Sequence, residues 1–227
     1  GLSSTVAFAD GHTQDYSQSG YFIFNTLLIL IGGFLVMWMA AGFAMLETGL
    51  VRSKNASTQL IKNVALFSLA SIAYFIVGFN LMYPGDGWII NGWMGGFSLT
   101  GLEPAGVGSD GVDLTYASVG SDFFFQLMFC AATASIVSGT VAERVKLWPF
   151  LIFTVVLTGI FYPISASWQW GGGWLSEAGF SDFAGSTVVH ATGAAAALAG
   201  ALVIGARHGR YKDDGSVIPM PGSNLPL

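Results

Sequence analysis

The sequence predicts an all-α protein, a polytopic membrane helix bundle, on three observations. Of its 227 residues 53% are hydrophobic and only 9% are charged, against roughly 25% charged in ordinary soluble domains. The apolar residues fall in unbroken runs long enough to cross a hydrocarbon core of roughly 30 Å. The eight basic residues gather at alternate connections between those runs.

Taken in order, the runs predict five spans over residues 21–46, 59–82, 123–141, 147–167 and 183–206. Arg52, Lys54 and Lys62 flank the first connection, Arg144 and Lys146 occupy the second, and Arg207, Arg210 and Lys212 follow the fifth span. Residues 1–20, 83–122 and 168–182 carry acids only, among them Asp86, Glu103, Asp110, Asp113 and Asp122. The positive-inside rule then sets the N-terminus outside and the C-terminus inside. The expected organisation is an extracytoplasmic segment 1–20, a transmembrane domain 21–207 and a cytoplasmic connection 208–227. Ala7-Phe8-Ala9 resembles the end of a secretory signal, and the turn-rich 218–227 reads as leading into a further segment. Five spans with opposite ends out and in make a unit whose second copy would insert upside down, the plan of inverted-repeat transporters. The chain reads as the first half of such a protein.

The most telling stretch is Asp182-Phe183-Ala184-Gly185-Ser186-Thr187-Val188-Val189-His190. A fifth span opening at Phe183 places His190 on the order of 10 Å below its acidic end, at 1.5 Å rise per residue. An ionisable group at that depth is costly and marks function by default. Gly193, Ala194, Ala197, Ala201 and Gly205 share its helical face. Two readings stand: a small-residue packing seam with His190 bonded to a neighbouring span, or a lining position on a narrow pathway.

Composition narrows the function classes. The net charge of −5 is lopsided, with an acidic outer surface that would either mildly concentrate cations at the mouth of a pathway or simply keep the outer loops soluble. No exposed basic patch suggests nucleic acid. A single cysteine, Cys130 inside the third span, excludes an intrachain disulfide and a cysteine-based metal cluster. A haem bundle needs axial ligands at matched depth, and only His190 is deep; His208 reads as a surface residue and His12 is uninformative. No catalytic residue, cofactor or metal site is expected, and the chain does not read as an enzyme.

Several ordered motifs carry a family resemblance: Gly42-Phe43-Ala44-Met45-Leu46 through Gly49-Leu50-Val51-Arg52-Ser53-Lys54-Asn55, then Phe125-Gln126-Leu127-Met128-Phe129, Gly139-Thr140-Val141-Ala142-Glu143-Arg144, Trp170-Gly171-Gly172-Gly173, and the run Asp182 to His190. Together they resemble the ammonium transporter family, with its Rhesus relatives, over essentially the whole chain. The resemblance implies a homotrimer of eleven-span subunits in the plasma membrane, each with a narrow hydrophobic pore between inverted halves. Trp170 and Phe129 would form the outer recruitment site and aromatic gate, with Phe125 and Gln126 around them and Asp182 supporting the vestibule. His190 would be the first of two pore histidines that hydrogen-bond each other, the second coming from the other half. A cytoplasmic signal-transduction protein is an implied regulator. Glu47 stands where many members carry Tyr or Cys, and Ser223 where His often precedes the sixth span.

The chemistry of these residues suits ammonium. Ammonium and potassium are alike in size and charge, so an acidic funnel alone accepts both. An unpaired cation costs tens of kcal/mol to desolvate in the Born limit, a penalty ammonium escapes by giving up a proton; potassium has no such exit. Ring faces at Trp170 and Phe129 offer cation–π attraction of about 2 kcal/mol or more when desolvated, and imidazole at His190 can accept or donate a hydrogen bond. The plainer readings are an interfacial tryptophan with a core or lipid-facing phenylalanine, and for Asp182 a helix cap. Phe125, Phe129, Ala132, Ile136 and Gly139 share one face of the third span. Glu143 with Arg144 and Lys146, and Glu47 with Arg52 and Lys54, read as interfacial charge clusters, with a regulatory contact as the other reading. Ammonium transport is the leading function; an ammonium sensor signalling through a cytoplasmic domain is the alternative.

Overall fold

The computed structural model describes residues 5–7, 13–99, 107–108, 111–112 and 116–224. Glu103, Asp110, Asp113, His12, Phe8 and Ala9, and the end of the turn-rich tail at 225–227, lie outside them. In chain order, strands β1 (Thr5–Ala7) and β2 (Thr13–Asp15) form an antiparallel pair, followed by helices α1 (Tyr16–Leu50), α2 (Ala56–Ala73) and α3 (Phe79–Met82). Strands β3 (Trp88–Ile90) and β4 (Met94–Gly95), then β5 (Val107–Gly108) and β6 (Gly111–Val112), make two further hairpins. Helices α4 (Val119–Thr140), α5 (Leu147–Val156), α6 (Tyr162–Ser167), α7 (Trp174–Glu177) and α8 (Val188–Ile204) complete the chain. A π turn joins α2 to α3 at Tyr74–Gly78, and another joins α5 to α6 at Leu157–Phe161.

The helices follow from the apolar runs, and their ends from identifiable breakers. The α2–α3 rod stops at Met82, just before Tyr83 and Pro84. Pro149 sits in the first turn of α5, where a missing backbone donor costs nothing. Gly205 closes α8 at φ +74°, ψ −155°, a backbone conformation open to glycine for want of a Cβ. Among the described residues four helical rods are long and apolar enough to cross a membrane: Ser19–Leu50, Ser53–Met82, Val119–Thr140 and Leu147–Ser167. These agree with the first four expected spans, lengthened by a few residues where no breaker intervenes.

The fifth expected span is corrected. Its helix runs only over Val188–Ile204, 17 residues, rather than from residue 183. Gly185 at φ +77° cannot belong to a right-handed helix, so the chain from 182 to 187 is a turn that feeds α8. His190 is therefore the third helical residue, about 3 Å along the axis and not 10 Å.

Contacts divide the chain into two compact units, Gly1–Met37 with Gly101–Met128 and Trp38–Thr100 with Phe129–Leu227. In the first, the rings of Phe34 and Phe124 lie 5.3 Å apart, Asn25 donates to the Tyr116 carbonyl at 3.1 Å, and the Ser118 N–H donates to Thr26 at 3.1 Å. In the second, α2 packs along α5, α3 packs on α6, and the two π turns face each other. Leu66, Val137, Phe150, Leu157 and Ala197 form the core of that packing.

Two carboxylates tie the second unit together. Glu143, at φ +62°, accepts from the Arg52 N–H at 3.0 Å, Arg52 Nε at 3.2 Å and Asn55 Nδ2 at 2.5 Å, and pairs with Arg207 at 3.0 Å. Arg144 beside it donates to the Gly205 and Thr140 carbonyls. The basic-bearing stretches near residues 52, 144 and 207 thus meet at one carboxylate. Ser223 anchors the tail to the end of α1, its N–H on the Val51 carbonyl at 2.8 Å.

Glu47 corrects a second expectation. It is 3% exposed and accepts from Gln59, from Asn63 at 2.5 Å and from Ser138 at 2.9 Å, while Arg52 pairs with Glu143 instead. Lys62 does not flank a connection either: it lies inside α2, buried, donating to the Ser138 carbonyl at 2.9 Å, with its ammonium 4.9 Å from the Phe150 ring centre. Helical phase explains both, since the two side chains turn inward from residues that sequence spacing alone assigns to the charged rim.

Burial pushes the Glu143 carboxyl upward, but the bonds from Asn55 and Arg52 and the Arg207 charge outweigh it and hold it below the ordinary value. The stabilisation is present in full above the unfolded carboxyl value of about 4.3 and is lost as pH falls through the lower folded value. Glu143→Gln should cost on the order of 1–3 kcal/mol near neutral pH. In thermal unfolding in detergent, the gap from wild type should narrow as pH falls below the ordinary carboxyl range and through the lowered folded value. A gap of constant size across that range would contradict the role.

Candidate functional site

The turn before α8 is organised by one side chain. Asp182 is 6% exposed. Its Oδ1 accepts from the backbone N–H groups of Gly185 at 2.9 Å and Ser186 at 3.1 Å, and its Oδ2 from those of Thr187 at 2.9 Å and Val188 at 2.7 Å. Val188 is the first residue of α8, whose N–H has no intrahelical partner, and the other three donors lie in the turn that feeds it. The expected cap is therefore present, but it reaches across a six-residue turn instead of sitting next to the first helical residue. Burial raises the Asp182 carboxyl, and the four backbone bonds together bring it below its ordinary value.

The same residue seats an aromatic pair. The carbonyl of Asp182 accepts Trp170 Nε1–H at 2.7 Å, and the Trp170 ring lies 5.9 Å from that of Phe129, tilted by 45°. Trp170 is delivered by the turn after α6, where its own N–H bonds the Ala166 carbonyl at 2.9 Å. Gly171 follows because any Cβ there would press on the Met82 carbonyl and the Ser167 backbone. Phe129 comes from α4, which is tied to α8 through Thr133, whose single hydroxyl proton is shared between the Phe129 carbonyl at 3.1 Å and the Val189 carbonyl at 3.4 Å.

His190 hangs from this turn. Its Nδ1 lies 3.2 Å from the Gly185 carbonyl, which also accepts the Val189 N–H at 3.0 Å and the His190 N–H at 3.4 Å. The ring is on an exposed strip of α8 with Ala194, while Gly193 and Ala197 turn into the packing. The expected face thus splits: the small-residue seam holds for Gly193 and Ala197, and His190 is outside it. An apolar groove of about 840 Å³ runs along a different face of α8, past Ala195, Ala199 and Val203. None of Phe129, Trp170, Asp182 or His190 lines it.

The structure thus brings Phe129, Trp170, Asp182 and His190 onto one framework. Phe125 and Gln126 belong to the first unit, where the Phe125 ring rests on Gly32 and Gln126 is buried. Sequence reasoning passed over Gly185 and Thr133. An aspartate three residues before a glycine and six before an apolar run was the available sign of the first.

Comparison with known proteins decides the family. Residues 27–227 match the profile of the Ammonium Transporter Family. The chain belongs to the ammonium transporter family. It is 44% identical over 206 residues to Ammonium transporter Amt2 of Archaeoglobus fulgidus, covering 86% of this chain and 42% of that protein. To the ammonium transporter of Bacillus subtilis it is 35% identical, covering 81% and 44%. The crystal structure of Candida albicans Mep2 superposes with a TM-score of 0.69 at 27% identity over 91% of this chain and 45% of Mep2. The chain spans less than half the length of these relatives. Family and apolar helices together make this ammonium transporter family member a multi-pass membrane protein with the ammonium-transporter helical fold, in a family of transporters and not of enzymes.

Asp182→Asn replaces one acceptor oxygen with an amide that faces two backbone N–H groups, a loss on the order of 1–3 kcal/mol. The expected result is a lower thermal midpoint and less folded protein. Unchanged stability with weakened ammonium affinity would make Asp182 a substrate-shaping residue instead.

Proposed function

We propose that this chain is part of a transporter or channel that passes ammonium or ammonia across a membrane. Phe129 and Trp170 recruit the cation, Asp182 supports that vestibule, and His190 lies on the path beyond. The observation that carries this reading is the joining of the aromatic pair and the histidine to one turn, 182–190. Two ring faces attract a cation as it loses water without supplying the fixed negative charge that would trap it. Loss of the remaining water favours the neutral amine, and an imidazole that follows can take the proton or accept an N–H bond. Potassium gains the ring faces but has no proton to give. Phe125 and Gln126 are proposed to flank the aromatic gate.

The remaining proposals come with the family reading. Five spans, with α8 as the fifth, put residues 1–20 outside and 208–227 inside, with the transmembrane domain at 21–207 between them, in a plasma membrane. The meeting of the basic-bearing stretches at Glu143 supports their lying on one side. A homotrimer, a second inverted half supplying the partner histidine, and a cytoplasmic signal-transduction protein as regulator complete the proposal. The relatives are named as transporters, and no observation favours the sensor alternative.

The test is ammonium-evoked current on a solid-supported membrane, with the full-length protein in liposomes beside His190→Ala and potassium as competitor. The expected result is a saturable current that excludes potassium in the wild type and falls at least tenfold, or loses its proton coupling, in the variant. Unchanged current and selectivity in His190→Ala would remove the histidine from the mechanism.

A further inference from the structure

We propose that an anionic phospholipid binds at the basic rim of the second unit, its phosphate on Arg207 and Arg210 and one acyl chain in the groove beside α8. The proposal rests on the chain spanning a membrane and not on the ammonium path.

A pocket of about 330 Å³ lies past the end of α8, lined by Arg144, Arg207 and Arg210 together with Ala206, Tyr211 and Met220. One carboxylate stands beside these three guanidinium groups. It is Glu143, already taken by Arg52, Asn55 and Arg207. Asp213 and Asp214 belong to the exposed turn that follows, where Asp214 accepts the Ser216 N–H at 2.8 Å. The pocket therefore keeps a positive excess. A guanidinium carries five N–H donors. Arg210 gives one Nη1 bond to the Ile218 carbonyl at 2.8 Å and Arg207 pairs through Nη1 with Glu143, so both forks retain donors for an anion. Phosphate oxygens accept such donors in pairs.

The tail holds the two arginines by their backbones. The Arg210 N–H bonds the Arg207 carbonyl at 3.0 Å, the Ile218 N–H bonds the Arg210 carbonyl at 2.8 Å, and Tyr211 pairs with Val217 in an antiparallel bridge. Gly209, at φ +76°, makes the turn between them, where a side chain would be strained.

Position favours a lipid over a free ion. The apolar rods stop here, α4 at Thr140 and α8 at Ile204, so the pocket lies at the edge of the hydrocarbon. Trp148, exposed at the start of α5, and Tyr211 suit that level. The apolar groove of about 840 Å³ reaches the same rim, because Val145 and Ile204 line the groove while Arg144 and Ala206, one and two residues away in the chain, line the pocket. A free phosphate would use the pocket alone; a phospholipid fills both. Basic pockets between spans, on the side that carries the basic connections, hold lipid phosphates in this way.

The test is native mass spectrometry of the full-length protein in detergent, titrated with dioleoyl phosphatidic acid. Arg210→Gln should weaken the tightest binding step at least about fivefold. Arg210→Lys should fall between it and the wild type, since the charge stays and the paired donors go; it decides the case should the glutamine variant not fold, and unchanged binding in it then overturns the proposal. Arg207 is left in place because it also holds Glu143. Lys212→Gln removes the same charge from outside the pocket, where salt screens it, and should change binding less than about twofold. Equal weakening by Arg210→Gln and Lys212→Gln, or none by either, overturns the proposal. Ala199→Phe, which fills the groove, should weaken the dioleoyl lipid and spare the water-soluble dihexanoyl one; unchanged binding of the dioleoyl lipid overturns the placement of its chain. Millimolar inorganic phosphate should leave the lipid bound. Its displacement would make the pocket a site for free phosphate and overturn the lipid assignment.

Discussion

The bond set of the Asp182 carboxylate is the constraint on which the site depends. Four backbone N–H groups, three in the turn before α8 and one at its first residue, converge on its two oxygens. Buried, those donors would each cost on the order of 1–3 kcal/mol without a partner. Their satisfaction fixes the turn at 182–187, the turn fixes where α8 starts, and the start of α8 fixes His190. The Asp182 carbonyl, pointing the other way, fixes Trp170. The residue is a scaffold for both halves of the proposed path, which gives its carboxylate a reason to be charged and buried without making it a ligand.

The same solution recurs elsewhere in the second unit. Glu143 gathers Arg52, Asn55 and Arg207, and Glu47 gathers Gln59, Asn63 and Ser138. Each is a carboxylate removed from water and surrounded by donors drawn from two or three helices or connections. Helices in lipid gain little from burying apolar surface against one another, so directional bonds of this kind carry a larger share of helix placement than in a soluble bundle. The turns of this unit are built around charge, and the apolar lengths between them pack through Leu66, Val137, Phe150, Leu157 and Ala197.

Much of this was legible in the sequence, and the exceptions have physical causes. Hydropathy alone marks four of the spans, because the period of a helix in lipid need not be read when whole runs are apolar. Trp170, Phe129 and Asp182 were found as a group, since the family motifs preserve their order and spacing. The start of α8 was missed because Phe183 and Ala184 are apolar and extend the run, while the left-handed φ of Gly185 leaves no mark in composition. Glu47 and Lys62 were assigned to a charged rim because sequence spacing says how near a residue is to a basic connection but not which way its side chain turns. Gly185 was passed over for the opposite reason: its contribution is a carbonyl and the absence of a side chain.

Membership of the ammonium transporter family gives these contacts a setting, and the chain spans less than half the length of the relatives it matches. The geometry around residues 170 and 182–190 is a definite claim about the chain itself. The measurement that tests it most directly is a cryo-EM structure of the full-length protein in a lipid nanodisc, resolved at residues 170 and 182–190. The expected result is that α8 starts at Val188, that the Asp182 carboxylate caps the turn, and that Trp170 Nε1 remains on the Asp182 carbonyl. A continuous helix from Phe183, with the carboxylate turned toward the pore and Trp170 released, would contradict it.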